Sequence, residues 1–470
     1  MKGAKGLLVI MAAAMLTLGL SGISYAFHDG GVATCDSCHT MHNASGTTGV
    51  MGGHGVKAQT GYTYKGSSAQ FQGNVYLLQG TDQSSTCLNC HAVAEATGAS
   101  YHIMSPDAVT TGLPTHFTPG GDFGWLLVTP ASATSSYDKS RRGHNINAAD
   151  WGLGSAAGYA ITLQTAPGGT YPQSALHCSS CHDPHGTYRH TGGDPTITGD
   201  IQSSVFTPGF KGGATASISG SGSYGVKAPA GSAVGVYRLL AGKGYQPMSL
   251  NGAAPSFAND SPIAISPSNY DIVSSTFGIT GGASATTEVV VQYGTGMSEW
   301  CANCHGPING GMTTLIHPAS STDGSAKLSN ATTGASIVTN YNSYVYSGNM
   351  NGSNLYTSLV PVELGSGALT ALPAGTATTV NNAPTVTGSA NVSCLSCHKA
   401  HASAWANMTR FDVAAELTTH NGAYLSNDGT PGERGVLYSS AQYKNAMDGR
   451  PASVFAVNQR ILCNKCHAKD

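Results

Sequence analysis

All twelve cysteines of this 470-residue chain fall into one pattern, Cys-x-x-Cys-His, repeated six times. The copies are Cys35-Asp-Ser-Cys38-His39, Cys87-Leu-Asn-Cys90-His91, Cys178-Ser-Ser-Cys181-His182, Cys301-Ala-Asn-Cys304-His305, Cys394-Leu-Ser-Cys397-His398 and Cys463-Asn-Lys-Cys466-His467. This is the attachment site of a c-type haem: two thiols form thioethers to the porphyrin vinyl groups, and the adjacent histidine lies beneath the iron. Structural zinc, redox dithiols and disulfides also use paired cysteines, but none requires histidine after the second one. With 18 histidines in the chain, six such neighbours arise by chance with odds of roughly one in a few hundred million. A chain so marked must fold around six rigid apolar discs.

The rest of the composition agrees with a fold built on something other than its own side chains. Charged residues make up 9% of the chain, against about 25% in an ordinary soluble domain. There are 62 glycines and 21 prolines, so turns dominate. The glycines have no three-residue period, which excludes collagen. A net charge of -2 offers nothing to hold nucleic-acid phosphates. The motifs are separated by 52 to 123 residues with no fixed period, so this is no solenoid. Gly212 to Ser223 and Ser366 to Val380 read as loops with at most short strands. Gly220-Ser-Gly-Ser-Tyr-Gly225 fits a dinucleotide fingerprint by letter, but follows no buried strand and opens no helix. Helix is expected only around the motifs, over Ala404 to Leu417, and over Ser439 to Met447. The predicted fold is mostly irregular coil, with a few short helices and minimal strand, wrapped around a continuous chain of six c-type haems.

Residues 1–26 read as a secretory signal peptide: Lys2 and Lys5, an apolar run from Leu7 to Leu20, then Ser24-Tyr25-Ala26 as a small-x-small cleavage site. The apolar run is too short to span a bilayer, which needs about 20 residues. Residues 27–470 are then expected to form a single exported hexahaem domain, with no transmembrane segment.

Twelve histidines lie outside the motifs: His28, His42, His54, His102, His116, His144, His177, His185, His190, His317, His401 and His420. Each iron has one further axial position, so bis-histidine ligation throughout is the economical expectation. His42, His185 and His401 each follow a motif histidine by three residues. On a helical turn such a pair shares one face, whereas one iron needs donors on opposite faces of a flat macrocycle. The second histidine must therefore serve a different haem, or none. His54, His116, His190 and His420 lie in Gly/Thr/Asn-rich surroundings and are read as solvent-facing.

Longer segments carry a further signal. Phe27-His-Asp-Gly-Gly-Val-Ala-Thr-Cys35 through Asn43, Thr118-Pro-Gly-Gly-Asp-Phe-Gly-Trp125 and Arg142-Gly-His-Asn-Ile146 are three of them. Leu176-His-Cys-Ser-Ser-Cys-His-Asp-Pro-His185, Gly296-Met-Ser-Glu-Trp-Cys-Ala-Asn-Cys-His305 and Leu462-Cys-Asn-Lys-Cys-His-Ala-Lys-Asp470 are the others. In these the chain resembles the filament-forming hexahaem c-type cytochromes of the bacterial outer surface. The resemblance implies six bis-histidine haems in alternating stacked and perpendicular pairs. It also implies that His42 ligates the haem at Cys394 and Cys397 of the next subunit. His28, His42, His102, His144, His177, His185, His317 and His401 match the family pattern, eight donors for six positions. The stretches around 201–235 and 320–340 depart from it.

Position agrees with assembly. The first and last motifs lie close to the two ends of the exported chain, and termini usually reach the surface. Head-to-tail contact between identical subunits that does not close into a ring generates a filament. The expected partners are therefore other copies of the chain, upstream outer-membrane cytochromes and extracellular electron acceptors. A soluble periplasmic shuttle is the second reading. A multihaem oxidoreductase is the third, and would need one iron with an open face.

Overall fold

The computed structural model describes residues 38–39, 78–92, 102–130, 137–184, 218–219, 233–235, 240–247, 256–259, 262, 264–266, 292–309, 319–320, 327–328, 336–343, 359–364, 386–428 and 437–466. Helices are short. They comprise α1 (Gln83–His91), α2 (Ala108–Thr111), α3 (Met297–Asn309), α4 (Ser336–Ser343), α5 (Cys394–Cys397) and α6 (Ser440–Ala446), interspersed with single 3-10 turns. Strand is sparser. Residues Ile218–Ser219 (β1), Ala233–Gly235 (β2), Ala264–Ser266 (β3) and Gln292–Tyr293 (β4) form one small sheet in chain order, and Thr419–His420 (β5) pairs with Ala423–Tyr424 (β6). The described residues are mostly irregular, as the composition predicts.

The helices that do form have chemical reasons. Asp82 caps α1, accepting from the Ser85 N–H at 2.7 Å. Ser439 and Gln442 form a capping box at the start of α6, within the segment predicted helical. The other long prediction fails. Ala404 to Leu417 contains only a three-residue 3-10 turn, and Asn407 and Met408 adopt φ of 57° and 58°, a left-handed conformation that ends any helix. The carbonyl freed by that turn is used by His398, as described below.

Buried apolar side chains gather where residues 88–153 meet 402–462. Trp125, Tyr438, Trp405, Tyr443 and Tyr424 form a run of ring contacts with centroids 4.7–5.8 Å apart. Arg142, fully buried, closes one end. Its guanidinium donates to the carbonyls of Trp125 (2.9 Å) and Val128 (2.8 Å) and to the hydroxyls of Tyr137 and Tyr438. Replacing it by Met strands these acceptors in the interior at about 1–3 kcal/mol each, so Arg142→Met is expected to lower stability by several kcal/mol. Arg142→Lys should not rescue it, because an ammonium lacks the planar fork. Urea denaturation of the haem-loaded variants measures both.

Candidate haem-binding site

The motifs use different local structures for the same task. The second lies on α1, the fourth on α3 and the fifth on α5, while the third and sixth occupy 3-10 turns at Cys178–Ser180 and Leu462–Lys465. Of the first, Cys38 and His39 are described, and the Cys38 carbonyl accepts from the Gln79 N–H at 2.8 Å. Cys35, His28, His42, His54, His185, His190, His317 and His467 lie outside the described residues. No disulfide joins the described cysteines. No cluster of three or more His, Cys, Asp or Glu among the described residues is arranged to hold a bare ion.

Two joints recur. Cys87 meets Cys178, and Cys301 meets Cys394, each pair close enough for the two side chains to act on one another. At the first joint the Cys178 N–H donates to Ser84 Oγ at 3.0 Å; at the second the Cys394 N–H donates to Ser298 Oγ at 3.2 Å. Ser84 and Ser298 each stand three residues before the first cysteine of their own motif. The incoming turns match as well. Ser180 Oγ accepts from the His177 N–H, and Ser396 Oγ accepts from the Ser393 N–H. Weaker electrostatic contacts join Cys38 to Cys87, Cys181 to Cys304 and Cys397 to Cys463. The six motifs therefore follow one another through space in chain order.

His144 and His401 sit on two facing segments. The His144 N–H donates to the His401 carbonyl (3.0 Å), the Ser403 N–H donates to the Arg142 carbonyl (2.9 Å), and the His401 N–H donates to the Gly120 carbonyl (2.7 Å). A side chain at Gly120 would run into the His401 ring, and Gly121, at φ +90°, lies against the Ala402 carbonyl. Phe123 stacks on the His401 ring, centroids 4.9 Å apart. From this ladder the two imidazoles reach different motifs. His144 faces His305 of the fourth motif with centroids 6.2 Å apart, and His401 faces His182 of the third, also at 6.2 Å.

That separation is the one a metal between two imidazoles demands. Two metal–nitrogen bonds of about 2 Å each, plus about 1 Å from nitrogen to each ring centre, give about 6 Å. At His144, His305 and His398 the other ring nitrogen is engaged as a ligand histidine requires. His144 Nδ1 meets the Ala400 carbonyl at 2.6 Å, His305 Nδ1 the Pro167 carbonyl at 2.8 Å, and His398 Nδ1 the Asn407 carbonyl at 2.7 Å. Burial lowers the pKa of His144 to about 4 and that of His401 to about 3, which keeps both rings in the neutral form a metal binds. The residues present fit bis-histidine haem c.

His401 reaches the third motif from an unexpected geometry. The turn carrying His398 is not helical beyond Cys397: His398 is extended and pairs with Thr409. His102 is buried beside the second motif, and burial lowers its pKa to about 3. His177 Nδ1 lies 3.3 Å from Ser84 Oγ, inside the first joint. Two histidines read as solvent-facing are not. His116 is only 4% exposed, its ring 5.6 Å from that of His102. Asp122 draws it in, accepting from the His116 N–H and also from Ser105 and Gly124. His420 is half-buried on β5. Sequence reasoning missed Ser84 and Ser298, although the shared Ser-x-x-Cys spacing was there to find.

A mostly irregular chain that lines up Cys-x-x-Cys-His turns and aims imidazoles across them is a c-type cytochrome. The chain belongs to the family of C-type cytochrome OmcS. It is 42% identical to that protein from Geobacter sulfurreducens over an alignment covering all of both chains. Two solved structures are similar. One is described as cryo-EM of the OmcS nanowires from Geobacter sulfurreducens, with TM-score 0.67, and the other as the outer membrane cytochrome S filament from the same organism, with TM-score 0.65. Each is 40% identical, over 94% of this chain and 100% of the solved one. No protein-family model matches the chain.

Proposed function

We propose that this chain is an extracellular electron carrier that works as a polymer of identical subunits. Each subunit holds six bis-histidine haems c in an unbroken line. Residues 1–26 direct export and residues 27–470 form the single haem-bearing domain. The observation that carries the reading is the pair of imidazole partnerships spanning different motifs, His144 with His305 and His401 with His182, both at 6.2 Å. Haem c supplies reversible one-electron chemistry when bound.

The protein's part is positioning. His401 follows the fifth motif yet serves the third, so it ties the two sites to one another. The serine joints hold the second motif against the third and the fourth against the fifth. His42 of the adjacent subunit is the second donor to the haem at Cys394 and Cys397, and the remaining three irons draw on three of His28, His102, His177, His185 and His317. Electrons enter from upstream outer-membrane cytochromes and leave to extracellular acceptors. The similarity to filament structures supports the assembly, and among the described residues no helix is long and apolar enough to cross a membrane.

The chain is read as a non-catalytic carrier, with no open iron. His144→Ala and His401→Ala should each convert one haem in six from low-spin to high-spin and open it to carbon monoxide. The wild type should bind neither carbon monoxide nor cyanide. Resonance Raman spectra and ligand titration decide it. Fully low-spin variants would remove the pairing, and a wild-type protein that binds either ligand would favour the oxidoreductase reading.

A further inference from the structure

Glu363 is fully buried, 0% exposed, in a part of the chain that holds two motifs together. Its backbone exchanges hydrogen bonds with Asn391 in both directions at 2.9 Å, just before the fifth motif, and the adjacent Leu364 N–H donates to the Tyr293 carbonyl just before the fourth. The side chain turns to the start of α3. There it accepts from the Met297 N–H at 2.7 Å and the Gly296 N–H at 3.2 Å. A carboxylate at a helix N-terminus is favoured by the unpaired N–H groups there, and the same α3 carries Cys301 and His305. Glu363 thus braces the joint at which Cys301 and Cys394 meet, and it interacts electrostatically with both.

The surroundings do not match a permanently ionised carboxylate. The groups that act on it most strongly are the two N–H donors, Glu299 on the first turn of α3 and Cys394 on α5, and none is cationic. Glu299 is a like charge, partly exposed, whose Oε1 accepts from Ser320 Oγ at 2.7 Å. Lys327, whose neighbour Leu328 donates its N–H to the Ala390 carbonyl beside Asn391, is exposed. Burial outweighs the two N–H donors and pushes the Glu363 carboxyl up to about 8. Haem attachment converts Cys301 and Cys394 to thioethers that cannot ionise, leaving the carboxyl to respond to Glu299 and to the irons.

We propose that Glu363 is a redox-linked proton-binding site, taking up one proton from solvent as one electron enters the fourth or fifth haem. This rests on the haem reading given above. The balance is one electron from a reduced c-type cytochrome, iron(III) becoming iron(II), and one proton converting the Glu363 carboxylate to the carboxylic acid. The driving force is Coulombic: reduction removes one positive charge near a buried anion, and in a medium of low dielectric that loss weakens the ionised form. Oxidation releases the proton again. Conduction along the polymer would then carry a proton exchange at each subunit.

The test uses the haem-loaded wild-type protein and its Glu363→Gln variant. Redox-difference infrared spectra of the wild type should show a carboxylic C=O band that grows on reduction at and above about pH 8, where the oxidised protein holds the carboxylate, and shifts in D2O. In Glu363→Gln that band should vanish. Spectroelectrochemical titration should find a fraction of the wild-type haems whose potential falls as pH rises, approaching about 59 mV per tenfold change in proton concentration for a coupled one-electron step. The variant should lose that slope with its low-spin spectrum unchanged. A wild type without the band, or a variant that keeps band and slope, overturns the proposal. The infrared measurement on the wild type decides it even if the variant misfolds. Counting haems as the pyridine haemochrome separates this failure from failure of the haem reading itself.

Discussion

Haem-free polypeptide is expected to remain unfolded: far-ultraviolet circular dichroism should show no cooperative thermal transition, and proteolysis should be fast throughout. Fixing a backbone residue costs about 1–2 kcal/mol of conformational entropy. A chain with six short helices and two small sheets among its described residues has little apolar area with which to offset it. Each porphyrin buries several hundred Å² of apolar surface at about 25 cal/mol per Å², several kcal/mol apiece, and its thioethers restrict the unfolded chain as disulfides do. Native stability is only about 5–15 kcal/mol, so losing all six contributions exceeds it. Replacing both cysteines of the fourth motif by serine should reproduce much of the effect, because that motif meets the fifth through Ser298 and Glu363. A folded haem-free chain with sharp transitions would refute the view that porphyrin replaces an ordinary core.

The second large effect concerns assembly. His42→Ala should leave subunits that carry six haems but do not polymerise, with the haem at Cys394 and Cys397 turned high-spin. Within that site His398 is already oriented, its Nδ1 held by the Asn407 carbonyl, so its other nitrogen is presented to the iron. A missing donor from the neighbour leaves an oriented but five-coordinate site. Added imidazole should restore the low-spin spectrum without restoring filaments, because it replaces the ligand and not the link. Electron microscopy and light scattering read the outcome. Full-length filaments from His42→Ala would rule out the cross-subunit ligand.

The attachment motifs and the shortage of regular structure could be read directly from the chain, because both are local. Covalent haem attachment uses five consecutive residues, and a capping box such as Ser439–Gln442 uses four. What the chain hides is which distant segments meet. Nothing near Glu363 announces that it will cap a helix 66 residues away. Ala404 to Leu417 has helical composition, yet the demand of His398 for a carbonyl partner places Asn407 in the left-handed region and ends the helix. His116 has polar neighbours and reads as exposed, but Asp122 six residues on collects the N–H groups of its loop and folds it inward. In each case a hydrogen bond reaching beyond the helical spacing outweighs a local preference worth less than about 1 kcal/mol.

The twin serine contacts suggest how such a molecule can change in evolution. Between Cys87 and Cys178, and again between Cys301 and Cys394, some ninety residues of unrelated sequence leave and return to the same peg. Closing a longer excursion adds only about 0.6 kcal/mol per doubling of length. The intervening surface is thus free to diversify, by insertion or by wholesale exchange, while the serine contact still sets one motif against the next.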